Sequence, residues 1–496
     1  MNTSTNLKIG IIQNSPLTAD LSNNLRQIVQ GYRECLDHGA NLIVAPACAL
    51  CGPNPGALLQ RSSFIHQIQA ALKALSMEIG EVPLLLAAFT PGFQDEDGEE
   101  PQDPYVDDGI SELSPEFNQI MLVPHLLESG QVTELTDCDL FELDGVHIYT
   151  DVQDVAALPV ETELDLIIHM PTLPWHATGA PEEEDLRQWE AQTNHVPVIS
   201  VYPACTANGD IYAGGSGAYS ADGATLARLP FFESANKVIN LAGKTRAKAL
   251  PEPSELLFLA IERGIRDTVK ANGYTGVCIN LDQPNADVLA AICTEALGRS
   301  NVVGITTTGQ DYIAKTLNIT CHKPNTSALL SAADDILCDA NADAFRARLL
   351  HTLSYSIAEN HGLMYLSSLS RRDFMLGEFT LYGESCGLLA PLGNLYEMDL
   401  HLLRNYLAES YTSLFGPIKS PEVPETDSII HELADRNIGA SDLLNEHTSL
   451  FQENEVRMIQ RKIIASALKR TQMPMVLHVD RPQERQTPPV SHRLND

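Results

Sequence analysis

The sequence predicts an α/β protein in which helices cover sheets whose strands run largely parallel or mixed. Residues 7–46 alternate strand, helix, strand, and residues 64–88 repeat the helix and strand. A proline-bearing stretch at 245–255 then precedes a second helix–strand–helix block. Alternation of this kind calls for a sheet with helical cover, because each crossover helix returns the chain to the same sheet.

Leu7–Gln13 (LKIGIIQ) is a short apolar run with β-branched residues, the mark of a buried strand. Leu21, Leu25, Ile28, Val29, Tyr32, Cys35 and Leu36 recur at helical spacing, and Gly39 stands where a C-terminal cap belongs. Asn41–Pro46 (NLIVAP) reads as the next strand, Phe64–Ile79 as a helix and Val82–Ala88 as a strand. Gln94–Glu112 is crowded with carboxylates but lacks the alternating ligand spacing of a calcium loop, so a solvated excursion is expected there.

Strands resume at Gln119–Val123, Val146–Tyr149, Leu166–His169 and Val196–Val201, with a helix over Glu182–Thr193 before the last. Gly214-Gly215-Ser216 and Ser220-Ala221-Asp222-Gly223 mark an antiparallel region. Thr245–Ser254, with Pro251 and Pro253, has linker composition. Beyond it come helix Glu255–Asn272, strand Gly276–Leu281, helix Ala286–Leu297, strand Val302–Thr306, helix Ala344–Glu359 and strand Leu363–Leu366. Helices near Ser441–Leu444 and Glu455–Leu468 lead to a polar tail. The expected domains are therefore 1–244 and 256–496, joined by a 245–255 linker.

The 496 residues carry 32 Lys+Arg against 65 Asp+Glu, a formal net charge of −33. Nucleic-acid binding needs a basic footprint, and this balance points the other way. No run approaches the ~18 apolar residues of a membrane span, and Met1–Asn6 lacks the basic-then-apolar order of a signal peptide. A cytoplasmic protein is expected. The ten scattered cysteines then read as reduced thiols, mostly small buried hydrophobes. Cys48-Ala49-Leu50-Cys51 is the one CxxC; no second one completes a zinc set, so packing is favoured over a redox pair or half a metal site. No metal is expected. Lysine is absent between Lys73 and Lys237, which bars any chemistry that needs one in that interval.

A set of short matches, in order, gives the chain a family resemblance. Pro46 is followed by Leu50-Cys51-Gly52-Pro53-Asn54-Pro55, then Glu128-Ser129-Gly130-Gln131-Val132, Asp144-Gly145-Val146, Pro174-Trp175-His176 and Gly214-Gly215-Ser216. In this order they resemble the nitrilase-type glutaminase domain of glutamine-dependent NAD(+) synthetases. The C-terminal half is similar to the ATP-pyrophosphatase module of the same enzymes, through Ile265–Val277, Asn360-His361-Gly362, Thr380–Glu384 and Leu388–Leu392. The resemblance spans about 1–240 and 255–420. It implies a nitrilase-like αββα sandwich followed by a Rossmann-like parallel α/β domain of the PP-loop type, and assembly into homo-oligomers.

The same resemblance locates two reaction centres whose reacting groups this sequence does not supply. A nitrilase-type site uses a Cys nucleophile, a Glu base and a Lys that stabilises the oxyanion. Ala47 stands for the Glu and Val152 for the Cys, in the stretch Val152-Gln153-Asp154. The Lys position falls in Glu134-Leu135-Thr136-Asp137, so no Lys is present. Cys138 and Cys205 are the cysteines nearest in sequence, and Cys48 or Cys205 would have to serve as a shifted nucleophile.

In the second half, the family's Ser-Gly-Gly-x-Asp-Ser phosphate loop corresponds to Asp282-Gln283-Pro284-Asn285-Ala286-Asp287. Glycine freedom and one amide donor are lost there, and two carboxylates are gained. Each would repel a nearby phosphate by ~1–4 kcal/mol. Ser368-Leu369-Ser370-Arg371-Arg372-Asp373 and Gly393–Met398 lose the family's remaining lysines. Arg371 and Arg372 are candidate residual anion contacts, with a solvated surface pair as the plainer expectation.

Three functions fit these residues. The leading one is a member that keeps the fold without either catalytic centre and works as a structural or regulatory subunit, with itself or with an active relative. The second is a working glutamine-hydrolysing NAD(+) synthase or shifted amidohydrolase. The third is a small-molecule sensor using the former nucleotide cleft. No cofactor is expected under the first; ATP and Mg enter only if the family's reaction survives.

Overall fold

A computed structural model describes residues 7–91, 120–135, 140–152, 163–243, 247–337, 342–416, 425–446 and 450–480. The acidic stretch 94–112 lies outside these, as do Cys138, Gln153 and Asp154. The chain divides into two compact units. The first comprises Met1–Pro174, Thr178–Ala207 and Tyr212–Leu250; the second, Trp175–Ala177, Asn208–Ile211 and Pro251–Asp496.

The first unit opens with β1 (Lys8–Gln13), α1 (Leu21–Asp37), β2 (Leu42–Val44), α2 (Ser62–Ser76) and β3 (Leu84–Pro91). β1, β2 and β3 pair in parallel. Helix α1 ends where the sequence places its cap: Gly39, at φ 76°, donates its N–H to Leu36 O at 2.8 Å. Gly10 lets this helix settle onto β1, because a Cβ there would lie 2.8 Å from Cys35 Cβ. β4 (Ile120–Glu128) and β5 (Gln131–Glu134) extend the sheet antiparallel. β4 runs past the predicted Val123 because Leu126 and Leu127 pair with both β3 and β5.

A second sheet follows from β6 (Leu140–Leu143), β7 (Val146–Asp151), β8 (Leu166–His169) and, after α3 (Gly179–Asn194), β9 (Val198–Ser200). β10 (Ala204–Ala207) and β11 (Asp210–Ala213) precede β12 (Gly217–Tyr219) and β13 (Thr225–Arg228). The predicted turn joins these last two, with Gly223 N donating to Ser220 O at 2.7 Å. β14 (Ala235–Asn240) then closes antiparallel on β1. The sheet orders are β14-β1-β2-β3-β4-β5 and β13-β12-β9-β8-β7-β6.

Three apolar layers hold the unit. One packs α1 and α2 on the first sheet, one fills the space between the sheets, and one packs α3 on the second. Helix, sheet, sheet, helix is the nitrilase-like αββα sandwich.

The second unit starts at α4 (Pro253–Ala271), whose Pro253 suits a first helical turn, since no intrahelical acceptor awaits its missing N–H. It continues with β15 (Gly276–Asn280), α5 (Ala286–Leu297), β16 (Val302–Ile305), α6 (Asp311–Leu317), β17 (Thr320–His322), α7 (Ser327–Leu337), α8 (Ala342–His361), β18 (Leu363–Leu366) and α9 (Arg371–Leu376). Then come β19 (Leu389–Ala390), α10 (Glu397–Ala408), α11 (Thr412–Phe415), α12 (Glu425–Ile430), α13 (Ala440–Glu446), α14 (Glu453–Arg470) and β20 (Met475–Val476). All strand pairs are parallel, in the order β17-β16-β15-β18-β19-β20. Strand order reverses at β15, with β16 on one side and β18 on the other. In open parallel sheets such a reversal leaves a crevice at the carboxyl ends of the strands, where ligands bind. Among the described residues no helix is long and apolar enough to cross a membrane.

Candidate functional site

In the first unit the three positions of interest lie near strand ends. Ala47 follows β2, Leu135 follows β5 and Val152 follows β7. All three join one apolar cluster between the sheets, with Val44, Leu85, Ala87 and Ile148 among its members. Ala47 has 0% of its surface exposed. The fold thus brings Ala47, Leu135 and Val152 to one place: Ala47 is buried in the cluster, and Leu135 and Val152, partly buried, pack against it. Beside Leu135, the Glu134 carboxylate accepts a hydrogen bond from Thr90 Oγ1 at 3.1 Å and lies 3.5 Å from His125 Nε2.

The shifted nucleophiles are poorly suited to attack. Cys48 and Cys205 are buried. A hydrogen bond to Cys51, together with burial, holds the Cys48 thiol well above its ordinary range, and a protonated thiol is a weak nucleophile.

The polar residues that this unit does bury lie on the other face of the second sheet, against α3. His169 Nε2 lies 2.9 Å from both carboxylate oxygens of Glu190, and Asp151 Oδ2 lies 3.6 Å from Nδ1. Arg187 Nη1 donates to Glu190 at 3.0 Å and its Nε to Glu183 at 2.6 Å. Burial alone would lower the His169 pKa, but the neighbouring Asp151 and Glu190 carboxylates outweigh that and raise it. Glu190 is likewise penalised by burial and lowered on balance by His169 and Arg187. These residues escaped sequence reasoning, although two signals were present: a histidine ending an apolar strand, and an Arg–Glu pair three apart on a helix.

In the second unit the loop after β15 reaches the crevice, and Asp282 occupies it in an unexpected way. Its Oδ2 accepts from Thr307 N at 2.7 Å and Thr307 Oγ1 at 3.0 Å; its Oδ1 accepts from Thr308 Oγ1 at 2.7 Å and Thr306 Oγ1 at 2.5 Å. Four donors from the loop after β16 therefore enclose one carboxylate. This is an anion cradle, and the chain fills it with its own anion. Charge-assisted bonds of this kind are about twice as strong as neutral ones.

The rest of the loop is equally committed. Gln283 Oε1 accepts from Ser368 N at 3.4 Å, and Pro284 O accepts from Ser368 Oγ at 2.6 Å. Asn285, at φ 58°, accepts from Arg404 Nη2 at 2.6 Å. Ala286 begins α5, and Asp287 lies in its first turn, where a carboxylate suits the helix dipole. Loops after β15, β16 and β18 thus meet at the crevice, but their donors face each other. A phosphate placed at this loop would compete with the Asp282 carboxylate for the same threonine donors.

Arg371 departs from both expectations. It is neither on the surface nor available to an anion. It is 8% exposed and ion-paired to Asp435, whose other carboxylate oxygen accepts from Tyr396 Oη at 2.5 Å. Burial alone would lower its pKa, but Asp435 and the other acidic neighbours keep it fully charged. Sequence alone could not pair it, because Asp435 lies 64 residues away. Arg372 is only partly buried and sits in the field of Asp427. No group of three or more His, Cys, Asp or Glu that could hold a metal occurs among the described residues.

The geometry defines a class first: a nitrilase-like sandwich followed by a Rossmann-like parallel α/β unit. Known proteins with both parts make it particular. Residues 257–427 match the NAD synthase family model. The glutamine-dependent NAD(+) synthetase of Synechocystis is 23% identical over 82% of this chain and 81% of its own length. That of Thermotoga maritima is also 23% identical, over 84% and 82%. The solved glutamine-dependent NAD(+) synthetase from Cytophaga hutchinsonii covers 98% of this chain and 97% of its own, with a TM-score of 0.78 at 11% identity. The one from Acinetobacter baumannii, solved in complex with ADP, covers 97% and 98%, with a TM-score of 0.71 at 17% identity. The chain is thus similar over most of its length to glutamine-dependent NAD(+) synthetases, carries a match to the NAD synthase family model over residues 257–427, and shares their fold.

Proposed function

We propose that this chain is a non-catalytic member of its family, working as a structural or regulatory subunit in a homo-oligomer or beside an active relative. The observation that carries the reading is Asp282, a carboxylate bound by three threonines at the crevice where a phosphate-binding loop belongs. Packing of Ala47, Leu135 and Val152 into one apolar cluster supports the same reading for the first unit. Loss of reacting groups with retention of scaffold is what remains when shape is used and chemistry is not.

The test is direct. Purified full-length chain at high concentration is expected to release no ammonia from glutamine and to form no NAD from deamido-NAD, ATP and ammonia. Light scattering is expected to find a defined particle larger than one chain. Turnover in either assay, or growth restored to a strain without NAD synthetase, would refute the reading.

A second reading is a working glutamine-dependent NAD(+) synthetase that uses ATP through displaced groups. It is favoured by relatives of that name that match over four-fifths of the chain. It predicts both activities in the same assays, and their dependence on ATP.

A further inference from the structure

The single CxxC was set aside as packing, yet the fold adds a third thiol to it. Residues 46–52 form a compact turn after β2. Ala49 N donates to Pro46 O at 3.1 Å, and Gly52 N donates to Cys48 O at 2.8 Å, which brackets Cys48 and Cys51 within one α-turn. Cys48 itself holds φ 59°, a left-handed conformation that glycine tolerates best.

The turn is fastened from several sides. Ala19 N donates to Cys51 O at 2.8 Å, and Asn24 Nδ2 to Leu50 O at 2.9 Å. A Cβ on Gly52 would lie 2.5 Å from Thr18 Cα. Asn14 ties the turn to β10, since its side chain donates to Ala49 O at 3.0 Å while its own carbonyl accepts from Ala204 N at 2.9 Å. Cys205 follows Ala204, so it is brought beside the same turn.

Cys48, Cys51 and Cys205 are 2%, 0% and 3% exposed. Cys48 and Cys51 stand three residues apart within the α-turn closed by Gly52 N and Cys48 O, and both pack in the same apolar cluster. Two sulfurs so placed need little backbone movement to reach a bond.

We propose that Cys48 and Cys51 form a reversible intramolecular disulfide, with Cys205 as the alternative partner of Cys48. With a peroxide as oxidant, the Cys48 thiolate attacks one peroxide oxygen. The O–O bond breaks, and a sulfenic acid and one water result. The Cys51 sulfur then attacks the sulfenyl sulfur and expels a second water. Two thiols and one peroxide thus give one disulfide and two waters. A small-molecule disulfide serves equally, leaving as two thiols. Because the Cys48 thiol is held protonated, oxidation is slow in the closed fold and faster at alkaline pH.

The test is mass spectrometry on the full-length chain. Reduced protein is treated with hydrogen peroxide or oxidised glutathione, the remaining thiols are blocked with maleimide, and the chain is digested with trypsin without reduction. Glu34–Arg61 contains no internal Lys or Arg and holds Cys35, Cys48 and Cys51 on one peptide. The expected product is this peptide, lighter by two hydrogens and carrying one maleimide, on Cys35. Its yield rises with pH, and dithiothreitol reverses it. Under the same treatment Cys51→Ser is expected to link Cys48 to Cys205.

Three maleimides on the peptide, while the partly exposed Cys321 and Cys386 are oxidised, would overturn the proposal. So would a link that forms only after urea unfolding. A Cys51→Ser chain whose Cys48 and Cys205 both remain free would remove the role given to Cys205.

Discussion

The two places that the sequence singles out are filled in opposite ways. In the sandwich unit, Ala47 is buried in an apolar cluster against which Leu135 and Val152 pack. In the parallel-sheet unit, Thr306, Thr307 and Thr308 present donors, and the chain's own Asp282 carboxylate accepts them. An apolar core resists the return of charge, because a buried carboxylate without partners is costly. A cradle holding a tethered anion needs one side chain removed to accept a free one. The first change is locked in by packing; the second is a competition.

The largest expected effect tests the locked side. Ala47→Glu places a carboxylate at a fully buried site in the apolar cluster. It should cost on the order of 4–5 kcal/mol, enough to unfold a marginal domain. Urea denaturation is expected to show a collapsed midpoint or insoluble protein. A stable Ala47→Glu chain would mean that the space is open, which breaks the contrast.

Next is Arg371→Ala, which strands Asp435 without its ion pair and should cost ~3–5 kcal/mol by the same denaturation measurement. Arg372→Ala, one residue away and only partly buried, is expected to change stability by less than about 0.5 kcal/mol. Equal effects would show that burial of the Arg371–Asp435 pair does not govern this end of the sheet.

The competition is tested by Asp282→Gly. Removing the carboxylate leaves the threonine donors unpaired, at a cost of ~1–3 kcal/mol. Inorganic phosphate or sulfate should then bind the opened cradle and raise the melting temperature in a dose-dependent way, with no such rise in the unsubstituted chain. A variant indifferent to both anions would show that the three threonines do not form an anion site on their own.

How much of this could be read from sequence follows from the range of each interaction. The strand–helix–strand blocks were legible because their signals are local. Leu166–His169, Ala286–Leu297 and Leu363–Leu366 emerge with the predicted bounds. Edge strands such as β5 (QVTE) and β14 (ANKVIN) were not, since one solvated side dilutes the apolar pattern. At the sites, the identities of Ala47, Val152 and Asp282 were legible, but what they touch was not. That Ala47 and Val152 share a cluster, that Asp282 turns to threonines beyond α5, and that Arg371 finds Asp435 are all consequences of tertiary folding. Sequence names these residues; only the fold shows what they touch.

The smallest effect is a slope in pH, and it should differ in sign between the units. Glu190 has a lowered pKa, so its contribution is present above its ordinary value of 4.5 and is lost as pH falls through the folded value. His169 has a raised pKa, so its contribution is complete below its ordinary value of 6.5 and is lost as pH rises through the folded value. The sandwich unit should therefore gain stability toward pH 4.5 from the acid side and lose it above 6.5. In the other unit, burial pushes the Asp399 carboxyl up to about 6 from an ordinary 3.8, with the Asp427 carboxylate adding to the rise, despite the hydrogen bond from Tyr396 N at 2.9 Å. The folded state then holds a proton that the unfolded state has released, so stability falls as pH rises from 3.8 to 6. Hydrogen exchange followed peptide by peptide reads the two units separately. His169→Gln should abolish the alkaline loss in the sandwich unit, and Asp399→Asn, which keeps an acceptor for Tyr396 N, should flatten the acid-side slope in the other. If both units lose protection in the same direction between about pH 4 and 6, these buried carboxyls are not what distinguishes them.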